Sequence, residues 1–321
     1  MDPIMLNDWH VVACSKDVGL GQIVSASLLG QDLVLWRHPE QIVAWDNRCS
    51  HRGAKLSQGR IEDDCLVCPY HGARFASDGS CVHVPAHPNL TFQAPKSRIR
   101  TFQAQEKYGF IWVCLGDPQW SLPELPERGD PSFGTFLCGP YHIHASPARV
   151  VENFCDAGHL PFVHAGSLGD PSAAEVAPYD VEVTETSITL KNQRCIQTDP
   201  DGTGERKEIT YWVQIHRPFL VYSRKESDTT CFSTLLCITP LGETECIAWY
   251  NIARNFDLET ADEQFQAFQN QLMAEDIPIL EGQTPKRLPL DLEAEFHFPM
   301  DKLSISYRKW LKQQGLKLGV Y

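Results

Sequence analysis

Two short strings carry ligand chemistry, Cys49-Ser50-His51 and Cys68-Pro69-Tyr70-His71, a C-x-H and a C-x₂-H separated by sixteen residues. Two thiolates can hold one iron of a [2Fe–2S] cluster while two imidazoles hold the other, an arrangement that raises the potential well above that of an all-cysteine cluster. A glycine follows each string, Gly53 or Gly72, as expected where backbone bends closely around a cluster. The same stretch admits a zinc ribbon, because Cys65 and Cys68 make a C-x₂-C and Cys81-Val82-His83 makes another C-x-H. Zinc would take four ligands from these seven and leave the second site, below, without an electron supply. On the cluster reading Cys65, Cys81 and His83 are core and strand residues.

The string Glu152-Asn153-Phe154-Cys155-Asp156-Ala157-Gly158-His159-Leu160-Pro161-Phe162-Val163-His164 sets two histidines five apart beside a carboxylate. On an unbroken helix they would point roughly 140° apart. Pro161 disfavours helix at Leu160, so His159 is expected to close a helix and His164 to swing back from the following turn. Asp156, three residues before His159, is expected on the same helix face, orienting its imidazole. Asn153 reads equally as a cap or a functional group.

A non-haem Fe(II) centre that binds O₂ needs a third ligand, usually a carboxylate, and open positions. Residues 259–281 carry Phe265, Phe268, Leu272 and Ile279 at helical spacing, and Asp276 continues that apolar stripe beside Pro278. A carboxylate facing a core needs a partner such as a cation. Asp262, Glu275 and Glu281 are alternatives for the same role.

The elements that must position these groups follow from pattern. Residues 33–36, 42–45, 65–68 and 110–113 are short apolar strands broken by Gly, Asn, Asp and Pro, so the first part of the chain is a small all-β unit. A Pro-rich stretch over 117–131 reads as a connection, with the boundary placed between residues 1–118 and 119–321. Beyond it, 152–164 is expected to be helical as far as Pro161, and 181–195, 209–216, 231–239 and 246–253 to form a second sheet. The fold class is α+β: an N-terminal all-β cluster domain, then a catalytic domain with an antiparallel sheet flanked by helices.

At 321 residues and 42% hydrophobic the chain can bury two cores, and its net charge of −13 argues against nucleic acid as a partner. The first residues show no signal-peptide pattern and no run of about 18 apolar residues occurs, so no membrane association and a cytoplasmic location are expected. Twelve cysteines in that setting suggest free thiols and metal ligands. Around the cluster strings Arg48, Arg52, Lys55, Arg60 and Arg74 suggest a basic patch where an acidic ferredoxin docks.

With both motifs in hand, the chain resembles the Rieske non-haem iron oxygenases with a short α-subunit, which include O-demethylases and monooxygenases, and among them the cyanobacterial hydroxylases of saxitoxin biosynthesis. The likeness runs from Asn7-Asp8-Trp9-His10-Val11-Val12-Ala13 through Pro85-Ala86-His87-Pro88 to Tyr307-Arg308-Lys309-Trp310-Leu311-Lys312. By that resemblance Cys49, His51, Cys68 and His71 hold the cluster, and His159, His164 and Asp276 hold the mononuclear iron. Asn153 and Asp156 belong to the family's catalytic string. Asp156 matches the family's bridging aspartate, which links a cluster histidine of one subunit to an iron histidine of the next in a head-to-tail homotrimer.

The expected activity is use of O₂ and external electrons to hydroxylate a C–H bond of a small-molecule substrate, or to demethylate it. A ring-hydroxylating cis-dihydroxylating dioxygenase is the alternative, and an electron carrier without oxygenase activity the alternative of another class. No G-x-G-x-x-G follows a strand, so a ferredoxin or flavin reductase must supply the electrons. Two departures stand out. Ala73 occupies a position where the family commonly has tryptophan, and Ser167 one where the saxitoxin hydroxylases have an aromatic residue.

Overall fold

In the computed structural model, which describes residues 2–90, 94–200 and 206–321, runs of β-branched and aromatic residues become strands and the Gly- and Asp-rich breaks become turns. The residues fall into two compact units, Met1–Leu122 and Pro123–Tyr321.

The first unit opens with one helical turn, α1 (Pro3–Leu6). It then runs through β1 (His10–Cys14), β2 (Ile23–Leu28), β3 (Gln31–His38), β4 (Gln41–Asp46), β5 (Arg60–Glu62), β6 (Cys65–Val67), β7 (Arg74–Phe75), β8 (Cys81–His83), β9 (Thr101–Lys107) and β10 (Phe110–Cys114). Six of these pair in the order β1-β10-β9-β4-β3-β2 and four in the order β5-β6-β7-β8. Trp36 and Trp45, fully buried and edge to face at 5.3 Å, share a core with Leu66, Phe75 and the two cysteines of the cluster strings. Apolar burial on this scale, about 25 cal/mol per Å², is what fixes the loops that spring from it.

The second unit is built on a seven-stranded antiparallel sheet. Its strands are β11 (Gly134–Ile143), β12 (Asp180–Val183), β13 (Ile188–Gln197), β14 (Lys207–Arg217), β15 (Leu220–Glu226), β16 (Cys231–Gly242) and β17 (Glu245–Arg254), in the order β11-β17-β16-β15-β14-β13-β12. Four helices accompany it: α2 (Pro147–Phe154), α3 (Leu160–Val163), α4 (Asp262–Gly282) and α5 (Lys302–Gln314). Where one strand was expected over 181–195 there are two, turned at Thr184–Ser187 by hydrogen bonds of the Thr184 side chain. The strands β11 and β15 were not anticipated, because their mixed polar sequences lack a clean apolar run.

Helix α4 lies along β11, tied by Gln266 Nε2 donating to the Leu137 carbonyl at 3.1 Å and by the Tyr141 hydroxyl donating to Asn270 at 2.5 Å. Its acidic first turn, Asp262 and Glu263, suits the positive end of the helix dipole. The expected stripe is half right. Leu272 is buried, but the inward residues of the last turns are Met273 and Leu280, and Ile279 is 50% exposed.

Candidate metal centres and substrate cavity

The two cluster strings form near-copies of one loop. Cys49 donates its amide to the Ala54 carbonyl while Gly53 donates to the Cys49 carbonyl. Cys68 and Gly72 repeat the pattern, with Ala73 in place of Ala54. Both glycines adopt positive φ, +74° and +69°, a conformation a side chain would strain. Cys49 and Cys68 lie buried side by side, and burial pushes the Cys49 thiol up to about 11, with the neighbouring Cys68 adding to it against a backbone hydrogen bond from His51. His51 and His71 are exposed, with their Nδ1 atoms 3.2 Å apart. Two buried thiols and two converging imidazole nitrogens are a donor set that fits a [2Fe–2S] cluster.

Cys65, Cys81 and His83 lie in β6 and β8, with the Cys81 thiol 3.9 Å from the His83 carbonyl. Ala73 is buried in the core where the resemblance implied room for tryptophan. Three of the five residues of the basic patch are in ion pairs. Lys55 pairs with Asp32, Arg60 with Glu62, and Arg74 with Glu62 and Asp63. Such exposed pairs contribute little to stability, and Arg48 and Arg52 are exposed beside the cluster strings.

In the second unit the helix expected to reach Pro161 stops at Phe154. Ser146 caps its start and Pro147 fills its first turn. Pro161 then opens a new helix rather than closing the old one, because a proline without an N–H is at home in a first turn. His159 precedes this four-residue helix and His164 follows it, so the rings meet at 5.2 Å between centroids. Asp156 therefore lies in the turn between helices, not on a helix face. Its Oδ1 accepts from the Gly158 amide at 2.7 Å and its Oδ2 stands 3.5 Å from His159 Nδ1.

Asp276, on α4 and 13% exposed, brings its Oδ1 to 3.6 Å from His159 Nε2 and 3.3 Å from His164 Nε2. One ligand atom from each of the three lies within 4.8 Å of the others. His159 Nδ1 is buried without a hydrogen bond of good geometry. Two imidazoles and a carboxylate on one side of a cavity, with polar atoms unsatisfied, fit a mononuclear iron that keeps open positions. Asn153 reaches the same carboxylate, its Nδ2 3.4 Å from Asp276 Oδ1.

The alternative carboxylates are occupied elsewhere. Asp262 pairs with Arg254 at 3.0 Å, and Glu281 accepts from the His144 amide at 2.8 Å. Glu275 accepts from His164 Nδ1 at 2.7 Å, and Gln271 donates to its other oxygen at 2.9 Å. Burial pulls the His164 pKa down, but the hydrogen bonds to Asp276 and Glu275 outweigh it and the net shift is upward. The role of Glu275 was missed in the sequence, although a carboxylate directly before a metal-facing aspartate was a usable signal.

Beside the triad is a cavity of about 890 Å³, counting its open mouth. Phe154, Leu168, Val213, Phe232, Phe268 and Leu272 supply apolar walls, and Gln193, Tyr211, Ser223, Lys225, Thr234 and Gln269 add polar groups away from the triad. Among the described residues no helix is long and apolar enough to cross a membrane.

Comparison with known proteins agrees with this arrangement. Residues 8–103 match the Rieske [2Fe–2S] domain, and residues 143–315 match the vanillate O-demethylase oxygenase C-terminal domain. The chain is 30% identical to methylxanthine N1-demethylase NdmA of Pseudomonas putida, over 98% of this chain and 92% of that protein. It is 28% identical to the vanillate O-demethylase oxygenase subunit of a Pseudomonas strain, over 86% and 85%. The structure of NdmA with caffeine superposes with a TM-score of 0.81 at 28% identity, covering 96% of this chain and 90% of that one. The chain belongs to the Rieske non-haem iron oxygenases, as an oxygenase component that uses a [2Fe–2S] cluster and a mononuclear iron.

Proposed function

We propose that this oxygenase component oxidises a methyl group or another C–H bond of a small, flat, largely apolar molecule. In this reading Cys49, His51, Cys68 and His71 hold the cluster, and His159, His164 and Asp276 hold the iron. The observation that carries it is the triad opening onto a cavity with apolar walls in a chain whose full-length relatives include demethylases. When bound, the iron supplies O₂ activation and the cluster supplies single electrons.

The residues do the rest. Phe232, Phe268 and Leu272 exclude water and sandwich the ring, while Asn153 and Glu275 hold Asp276 and His164 in place. For an N- or O-methyl substrate, insertion of one oxygen atom of O₂ into a methyl C–H gives a hydroxymethyl group. That group breaks its bond to nitrogen or oxygen and leaves as formaldehyde. The second oxygen atom leaves as water, with two electrons and two protons taken up.

The electrons come from a separate reductase or ferredoxin, in the cytoplasm. The oxygenase is a head-to-tail homotrimer in which Asp156 faces a neighbour's cluster histidine. Support for that face comes from Asp156 itself, 34% exposed beside a groove rimmed by Ile279 and by Phe296, which is 83% exposed. Exposed apolar surface of this kind marks interfaces.

Anaerobically purified protein is expected to carry roughly three irons and two sulfides per chain, and with a reductase to release formaldehyde from a methoxy or N-methyl substrate. Zinc without sulfide would overturn the reading, and a product carrying both atoms of ¹⁸O₂ would favour a dioxygenase. Glu275→Ala is expected to weaken mononuclear iron about 10- to 100-fold in chelator competition, leaving sulfide content unchanged. An unchanged iron affinity would remove Glu275 from the site.

A further inference from the structure

The cavity wall opposite the helices is one face of the sheet, and its register explains which side chains line it. Gln193 pairs with Tyr211, Tyr211 with Lys225 and Lys225 with Phe232, one rung across β13 to β16. Val213, Ser223 and Thr234 form the next rung, two residues along each strand and so on the same face. All seven line the cavity.

Gln193 reaches this face by an irregularity. On β14 its partner Tyr211 is two residues from Val213, but on β13 Gln193 is three residues from Leu190, which pairs with Val213. An odd spacing would turn Gln193 to the opposite face. A bulge between Leu190 and Gln193, with Asn192 at φ +60°, restores it to the cavity side. Asparagine tolerates that left-handed conformation better than most residues.

The side chain delivered there is 4% exposed and lines the cavity, so its amide faces whatever fills that space rather than bulk solvent. Once a ligand fills the cavity and excludes water, an amide left there without a partner would be costly. Beside it Gln197 Nε2 is 2.8 Å from the Tyr211 hydroxyl and fixes that ring.

Resting on the oxygenase reading above, we infer that Gln193 is the specificity-determining residue of the cavity, and that the substrate is a neutral, planar molecule with an amide-like edge. An N–H beside a C=O on such an edge meets the carbonyl and NH₂ of one glutamine with two hydrogen bonds. A ring of this type stacks between Phe232 and Phe268 while its polar edge completes the wall. A purely apolar substrate would leave the amide unpaired, which is how a buried polar group discriminates.

The test is calorimetric binding of three probes of one shape to the full-length protein, with iron and sulfide measured on the same samples. The probes are 4-methoxybenzamide, 4-methoxyacetophenone and 4-isopropylanisole. In the wild type the amide is expected to bind roughly 10-fold more tightly than the isopropyl compound, and Gln193→Leu to bring the two within about 2-fold. Gln193→Glu keeps an acceptor but loses the NH₂, so it should retain the amide probe while the ketone falls to the level of the isopropyl compound. A merely structural role would not separate ketone from amide.

Equal binding of amide and isopropyl probes by the wild type, or no binding of any probe, overturns the inference, as does a preference that survives Gln193→Leu. If Gln193→Leu does not fold, the wild-type and Gln193→Glu comparisons decide. Protein that shows the amide preference yet lacks mononuclear iron would sink the oxygenase reading and leave the role of Gln193 standing.

Discussion

His159→Ala is expected to lower the iron content from roughly three to roughly two per chain, keep both sulfides, and remove oxygenase activity. The proposed centre has three protein ligands, and a supporting partner such as Glu275 is worth about 10- to 100-fold in metal affinity, so loss of a ligand should exceed about 100-fold. The surroundings cannot substitute for it. Asn153 already addresses Asp276, and Asp156 is held by the Gly158 amide. Iron and sulfide analysis with the paramagnetic resonance of the reduced cluster checks the outcome. Full iron and full activity would remove His159 from the proposed ligand set.

Arg308→Met is expected to destabilise the second unit by about 3–5 kcal/mol, the range for removing one partner of a buried ion pair. Arg308 is 4% exposed and grips Glu152 with both ends of its fork, at 2.6 and 2.9 Å, while a second bond of 2.6 Å goes to Glu295. Arg149, equally buried, completes the square with Glu295 at 2.6 Å and Glu152 at 3.4 Å. Two charges of each sign balance, and deleting one cation strands two carboxylates on a single arginine.

At about 2–4 °C per kcal/mol for a unit of this size, the loss corresponds to a fall in Tm on the order of 10 °C. Glu152→Gln added to Arg308→Met should recover part of it, since the charges then match again. A change below about 1 kcal/mol would mean that solvent already screens the square. Burial would raise the Glu295 pKa, but Arg149 and Arg308 outweigh it and hold it below its ordinary 4.5. A carboxylate depressed in the folded state contributes stability above its unfolded pKa and loses it as pH falls through the folded one. Wild-type stability should therefore drop as pH falls below about 4.5, and Arg308→Met should show less of that dependence.

This square also ties α5 to α2, the helix that leads into the triad. None of it was legible in the sequence, where Arg149, Glu152, Glu295 and Arg308 are charged residues without a pattern. Chemistry-bearing strings were easier to read, because thiols, imidazoles and carboxylates at short spacing have few other uses. The structure brings Cys49, His51, Cys68 and His71 together, and likewise His159, His164 and Asp276.

Local geometry around them was harder. One proline is compatible with ending a helix or starting one, and only the backbone before it decides. Pro161 was read the first way and does the second. The apolar stripe on α4 pointed to Asp276 but misjudged Ile279, because one period fitted to few residues cannot fix a face near a helix end. The pairing of Lys55 was hidden for a different reason, as its partner Asp32 comes from a distant part of the chain.

The bulge at Asn192 lets a residue outside the cavity wall decide what that wall presents. A β-branched residue at position 192 would resist the left-handed conformation, and β13 straightened at its present length would turn Gln193, three residues from Leu190, to the far face. The buried Ile188 and Leu190 before it, and their partners Ile215 and Val213, would keep their places. A single substitution there can exchange the recognition group of the cavity while sparing the strand's anchor, so specificity and stability can diverge independently at that point in the gene.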